Sequence, residues 1–171
     1  LLHALCREKI DDAFVCIYDP ASVNIAVAAG AGKAIQLKIG GKTDDRHGAP
    51  LETTATVISL HDGKFREDHP RHGGRTHYDM GPTAVVKTAA GPTVMLTTRR
   101  MVPFSLGQLT SCNINPEDFR ILVAKGVHAP TAAYAPVCPT LLRINTPGVT
   151  TADMQQLDFQ NRRRPLFPFE R

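Results

Sequence analysis

Apolar and polar residues alternate through several stretches of this chain. Ala34–Ile39 and residues 51–60 both alternate in this way. A period of two puts successive side chains on opposite faces of a strand, so both segments are predicted as half-buried strands. Thr83–Thr88 and residues 93–98 are predicted as strands joined by Ala89-Ala90-Gly91-Pro92, a hairpin connection. Ala13-Phe14-Val15-Cys16-Ile17 and residues 119–124 are short apolar runs, read as buried strands, and residues 141–144 as a last one. His61-Asp62-Gly63-Lys64 carries the Asp-Gly turn signal.

Helical signals are fewer. Residues 1–9 read as the end of a helix. Asp19-Pro20 starts another, with Asp as cap and Pro at the first helical position. Val23, Val27 and Ala28 are its predicted apolar face, and Gly30 and Gly32 end it. This strand–helix–strand order is compatible with a βαβ unit. Ser105 is placed to cap a helix through Leu109 to Cys112, Pro116-Glu117-Asp118 to open a short turn, and Thr150-Thr151-Ala152-Asp153 to start a short helix. Residues 129–139 read as irregular and punctuated by proline. The expected fold is α+β: a mixed, largely antiparallel sheet with a few short helices and an N-terminal strand–helix–strand unit. A length of 171 residues fits one domain.

Composition narrows the function classes. The net charge of +4 is mild, and basic residues are spread along the chain except for Arg162-Arg163-Arg164. No basic stripe or nucleic-acid motif is present, so nucleic acid is not an expected partner. No stretch approaches the roughly 18 apolar residues of a membrane span. Cys6, Cys16, Cys112 and Cys138 are far apart and form no CxxC pair, which argues against a cysteine-based zinc site. They read as buried free thiols, which suits a cytoplasmic location. Leu1-Leu2-His3-Ala4-Leu5 is already helix-like without a Met or a cap, so the natural N-terminus is expected upstream.

Between the strands at 34–39 and 51–60 lies the densest chemistry: Gly40-Gly41-Lys42-Thr43-Asp44-Asp45-Arg46-His47-Gly48-Ala49-Pro50. Strands position such a loop, and glycines let its backbone approach a ligand. Asp44, Asp45 and His47 offer at most three ligands to a metal or a water, and Lys42 and Arg46 can hold a carboxylate or phosphate. The plain alternative is a polar connection in which Asp44 pairs with Arg46 or caps a loop amide. The histidines His61, His69, His72 and His77 sit in a loop without a helical framework and read as surface groups. Lys125 and His128 follow the buried strand at 119–124, a strand end where α/β proteins place functional groups. Arg99 and Arg100 follow another strand and would point to opposite faces, one toward a site. Gly30-Ala31-Gly32 lies after a helix and before a strand, the wrong order for a dinucleotide fingerprint, and no P-loop, nucleophile elbow or HExxH occurs.

The residues 40–52, GGKTDDRHGAPLE, resemble the signature loop of the C-terminal domain of the microcystinase C (MlrC) family of bacterial metallopeptidases. Ile17-Tyr18-Asp19-Pro20 and Ala28-Ala29-Gly30-Ala31-Gly32 are similar to the segment leading into it. Leu96-Thr97-Thr98-Arg99-Arg100, Pro103-Phe104, Phe119-Arg120-Ile121-Leu122-Val123-Ala124-Lys125-Gly126, Ala132-Ala133-Tyr134-Ala135-Pro136, Asn145-Thr146-Pro147-Gly148 and Arg162-Arg163-Arg164-Pro165 follow in the expected order. The resemblance implies a two-domain zinc enzyme acting on a peptide or amide, with the main metal ligands on an N-terminal domain that is this domain's partner. Loop 40–50 would then face the metal cleft. Asp44 would be catalytic or polarise the substrate, with His47 beside it. Lys42, Arg46, Arg99, Lys125 and His128 are the candidate substrate-binding residues, and no residue of this chain is assigned to zinc. The chain alone is expected to fold, bind zinc weakly and hydrolyse nothing, and an exposed cleft surface is compatible with a homo-oligomer. The competing expectation is a non-catalytic module that binds an anion through Lys42, Arg46 and Arg99, or docks another domain through the loop.

Overall fold

The computed structural model describes residues 1–45, 47–69, 74–126, 128–146 and 153–170. They divide into two compact units, 1–141 and 142–171. Arg46, His72, Pro147, Gly148 and the helix start expected at 150–152 lie outside the described residues.

The first unit opens with helix α1 (Leu2–Arg7) and strand β1 (Ala13–Tyr18). Helix α2 (Pro20–Ala29) follows, with Pro20 in its first turn and the Asp19 side chain accepting the Ser22 N–H, as the Asp-Pro pair predicted. Then come β2 (Ala34–Ile39), β3 (Leu51–His61), β4 (Lys64–Arg66), β5 (His77–Asp79), β6 (Thr83–Thr88) and β7 (Thr93–Thr97). Short helices α3 (Gly107–Thr110) and α4 (Thr131–Tyr134) flank strand β8 (Ile121–Val123). One six-stranded sheet has the order β2-β3-β6-β7-β1-β8, and β4 and β5 form a separate hairpin. Three of its pairings are antiparallel, while β1 runs parallel to both β7 and β8. The expected mixed, largely antiparallel α+β sheet is therefore present.

Several local expectations change. Strands β1 and β2 are not a parallel βαβ pair: β2 lies at the far edge, pairs with β3, and runs against β1. Strand β8 is shorter than residues 119–124, and residues 141–146 form no strand, because among the described residues no partner strand accepts their backbone. In α2 the buried residues are Ser22, Val23 and Ala26, with Val27 and Ala28 exposed. The helix is oriented by the seat of Asp19 at its start, which turns the i, i+3, i+4, i+7 stripe from Asp19 inward. The Ser105 hydroxyl does accept an N–H at the start of α3, that of Gly107, at 2.9 Å.

Both faces of the sheet are covered. Ala13, Val15, Val94, Leu96, Ala84 and Val86 join α1 and α2 residues in one cluster, while Phe14, Met95 and Val85 join Leu109, Cys112 and Tyr134 in the other. Alternation along each strand sends neighbours to opposite clusters, so every residue of β7 is buried. This two-faced burial fixes where β1 and β7 end, and those ends carry the polar groups described next.

The second unit is small. Asp153 caps a 3-10 turn at Met154–Gln156. Glu170 binds the Arg162 guanidinium and accepts the Leu166 N–H, and those bonds hold its carboxyl down at about 2. Arg162 also lies 4.6 Å over the Phe169 ring, and Arg164 Nε stands 4.0 Å from the same Glu170 carboxylate.

Candidate active site

The site is built at the C-terminal ends of the parallel strands β1 and β7. Register places Tyr18 beside Thr97, so Asp19 and the Arg99-Arg100 pair leave the sheet at the same edge. Asp19 is buried, with its side chain fully enclosed. Its Oδ1 accepts the Ser22 N–H at 3.0 Å, and Oδ2 accepts the Ser22 hydroxyl at 2.9 Å and the Gly40 N–H at 2.9 Å. The Lys42 ammonium donates to both oxygens at 2.8 Å and to Ser22 Oγ at 2.9 Å. Burial works against the charge on Asp19. The bonds from Lys42, Gly40 and Ser22 outweigh it and hold the carboxyl below its ordinary range. One carboxylate thus caps α2 and anchors the root of the 40–50 loop.

The neck of the loop is pinched. Gly41 has φ +59°, and a Cβ there would stand 2.5 Å from the Pro50 nitrogen and 2.6 Å from the Ala49 carbonyl carbon. Only glycine fits a left-handed position pressed against the returning strand. His3 Nε2 also lies 3.0 Å from the Ala49 carbonyl oxygen, which ties α1 to the same neck.

Within the loop, Asp44 Oδ1 accepts the His47 backbone N–H at 3.0 Å and lies 2.7 Å from His47 Nδ1. A carboxylate partner fixes the tautomer with hydrogen on Nδ1. Nε2 is then the ring atom left for a ligand, and the side chain is 31% exposed. Asp44 thus caps a loop amide, as the plain reading of the loop expected. Arg100 closes the far side: its Nη2 donates to Thr43 Oγ1 at 3.1 Å, and its guanidinium lies 4.3 Å over the Tyr18 ring.

The remaining candidates do not all gather at this edge. Arg99 turns away to pair with Asp79. Lys125 and His128 are exposed after β8, and Ala129 next to His128 lines a groove of about 510 Å³ together with Arg100. Lys42 faces Asp19 and Ser22, and Arg46 lies outside the described residues. Among the described histidines, His61 Nε2 lies 2.8 Å from Ser59 Oγ and His77 Nδ1 3.0 Å from Thr76 Oγ1. Among the described residues no three His, Cys, Asp or Glu side chains are grouped to hold a metal, and no helix is long and apolar enough to cross a membrane. Sequence reasoning assigned Asp19 only its cap. The Asp-x-x-Ser pattern signals that cap, but its bonds to Gly40 and Lys42 come from across the fold.

Fold and site together define an α+β domain with an Asp–His pair on a pinned loop at the ends of parallel strands. The family model for the MlrC C-terminus matches residues 1–161, and the chain belongs to this family as its C-terminal, peptidase-related domain. It is similar to a solved structure described as "Putative metallopeptidase from Mesorhizobium sp. BNC1", with a TM-score of 0.80 and 25% sequence identity. The match covers 99% of this chain and 34% of that one, so the chain spans about a third of its length. No curated protein matches the chain.

Proposed function

We propose that the chain completes the active site of a zinc-dependent peptidase or amide hydrolase, with the metal held mainly by an N-terminal domain of the same enzyme. The described residues lack three convergent ligands, so they do not form a zinc site of their own. Zinc, when bound by the intact enzyme, supplies a Lewis acid for a carbonyl or a water. This chain supplies proton handling and charge at the rim. The observation that carries the reading is the Asp44–His47 bond, which engages Nδ1 and leaves Nε2 as the other ring nitrogen.

In this reading His47 is the catalytic residue of the loop. Its Nε2 accepts or returns a proton at the scissile group, and Asp44 stabilises the imidazolium and sets the ring orientation. Asp44 is then a positioning residue. Arg100 holds the loop against β1 through Thr43 and Tyr18. The competing anion-binding module loses two of its three cations, because Lys42 and Arg99 already hold Asp19 and Asp79.

The test uses the longer protein that contains this chain. His47→Ala is expected to lower kcat about 10²- to 10⁴-fold, the range of acid–base contributions, with KM changed far less. Asp44→Asn is expected to lower kcat and to shift the acidic limb of its pH profile, a readout that a merely structural role would leave in place. Unchanged turnover in both variants refutes the assignment.

A further inference from the structure

The groove beside the loop has a composition the proposed chemistry does not use. Arg75 and Arg100 bring two guanidinium groups to its wall, and Tyr78, Met101, Val102 and Phe104 supply the apolar surface. The one acid among the described lining residues, Asp79, is already paired with Arg99. Arg75 donates its Nε–H to the His77 carbonyl at 2.8 Å and lies 5.3 Å over the Tyr78 ring. Arg100 is held by Thr43 and the Tyr18 ring. Among the described residues neither arginine has a carboxylate against it. Among the described residues both are therefore oriented by neutral partners.

The apolar wall is equally ordered. The Tyr78 ring stacks on Phe65 at 5.2 Å and meets Phe104 tilted at 4.7 Å. Two oriented guanidinium groups select a planar anion, which they bind through paired N–H donors. A rigid aromatic wall selects an apolar group beside that anion. A phosphate would be served by the cations but would leave the wall unused.

We infer that this groove binds the C-terminal carboxylate of a peptide whose last residue is large and apolar, with Arg75 and Arg100 on the carboxylate and Tyr78, Met101 and Phe104 on the side chain. The inference rests on the peptidase reading for the identity of the ligand and gives that site its substrate class. Arg100 links the two, since it lines the groove and bonds Thr43 in the loop. A bound carboxylate would fix how far the scissile bond lies from His47.

The experiment titrates the 171-residue chain with three probes, followed by NMR shifts or calorimetry. N-acetylphenylalanine carries both features, N-acetylphenylalaninamide lacks the charge, and N-acetylglycine lacks the apolar group. The first is expected to bind with a Kd of about 1 mM, a size in keeping with a small ligand, and at least about tenfold tighter than either of the others. Arg75→Gln and Arg100→Gln should each weaken it about tenfold, and added salt should weaken it further. Equal binding of acid and amide, or N-acetylglycine binding as well as N-acetylphenylalanine, overturns the inference. So does unchanged affinity in both variants, or no binding of the first probe up to about 20 mM, well above the expected Kd. Because binding is read without turnover, a longer protein that fails to hydrolyse peptides defeats the peptidase reading and leaves the carboxylate preference measured here standing. Peptide hydrolysis without that preference does the reverse.

Discussion

Asp19→Asn removes one charge from the centre of the site and changes little else in shape. The magnitude follows from the bonds. In the native chain one carboxylate oxygen accepts the Ser22 N–H and the other accepts the Gly40 N–H, with Lys42 donating to both. An asparagine has a single acceptor oxygen. In either flip its amide group faces a backbone donor, Ser22 N–H or Gly40 N–H, and leaves it without an acceptor. A buried orphan donor costs about 1–3 kcal/mol, and loss of the charge-assisted bonds adds about as much again. The Lys42 side chain is 33% exposed and can turn to water, which discounts the second part. The expected loss is about 2–4 kcal/mol, a fall in Tm of about 10 °C for a chain of this size. The sign with pH is fixed too. The folded carboxyl sits below its ordinary value, so its contribution is complete above about pH 4 and is lost as pH falls through the folded value. The variant should lack that acid limb. Urea and thermal unfolding of the chain between pH 2.5 and pH 7 (about one and a half units below the ordinary carboxyl value to neutrality) test both points. A loss under about 0.5 kcal/mol, less than one ordinary hydrogen bond, refutes the reasoning. So does an unchanged acid limb.

Two further outcomes follow from the same structure. Gly41→Ala puts a methyl group where the Ala49–Pro50 backbone already stands, at a positive φ; it should cost about 1–3 kcal/mol in unfolding experiments and speed hydrogen exchange through residues 40–48. Burial, with Cys112 nearby, pushes the Cys16 thiol up to about 12, and burial also raises Cys6, Cys112 and Cys138. The native chain at pH 8 should therefore alkylate far more slowly than the urea-unfolded chain, and rapid native labelling of Cys16 would refute its placement.

What the sequence determined by itself is local. The period-two segments at Ala34–Ile39 and 51–60 form strands because alternation needs only neighbouring residues to be expressed. The Asp19-Pro20 start and the 89–92 hairpin are likewise set by one or two side chains. The density of the 40–50 loop was legible, as was the membership of the chain in the MlrC family, since both are properties of residue order. The tertiary structure decided the rest. It set β2 at the edge remote from β1, because the pairing of β3 with β6 fixes where β2 can add. It turned Val27 outward by seating Asp19 inside. It divided the labour of the two arginines, giving Arg99 to Asp79 and Arg100 to the loop and groove. The role of Lys42 changed in the same way, from a free cation to the partner of a buried carboxylate 23 residues earlier. A charge reads as available in a sequence, but whether it is spent depends on which opposite charge the fold buries beside it.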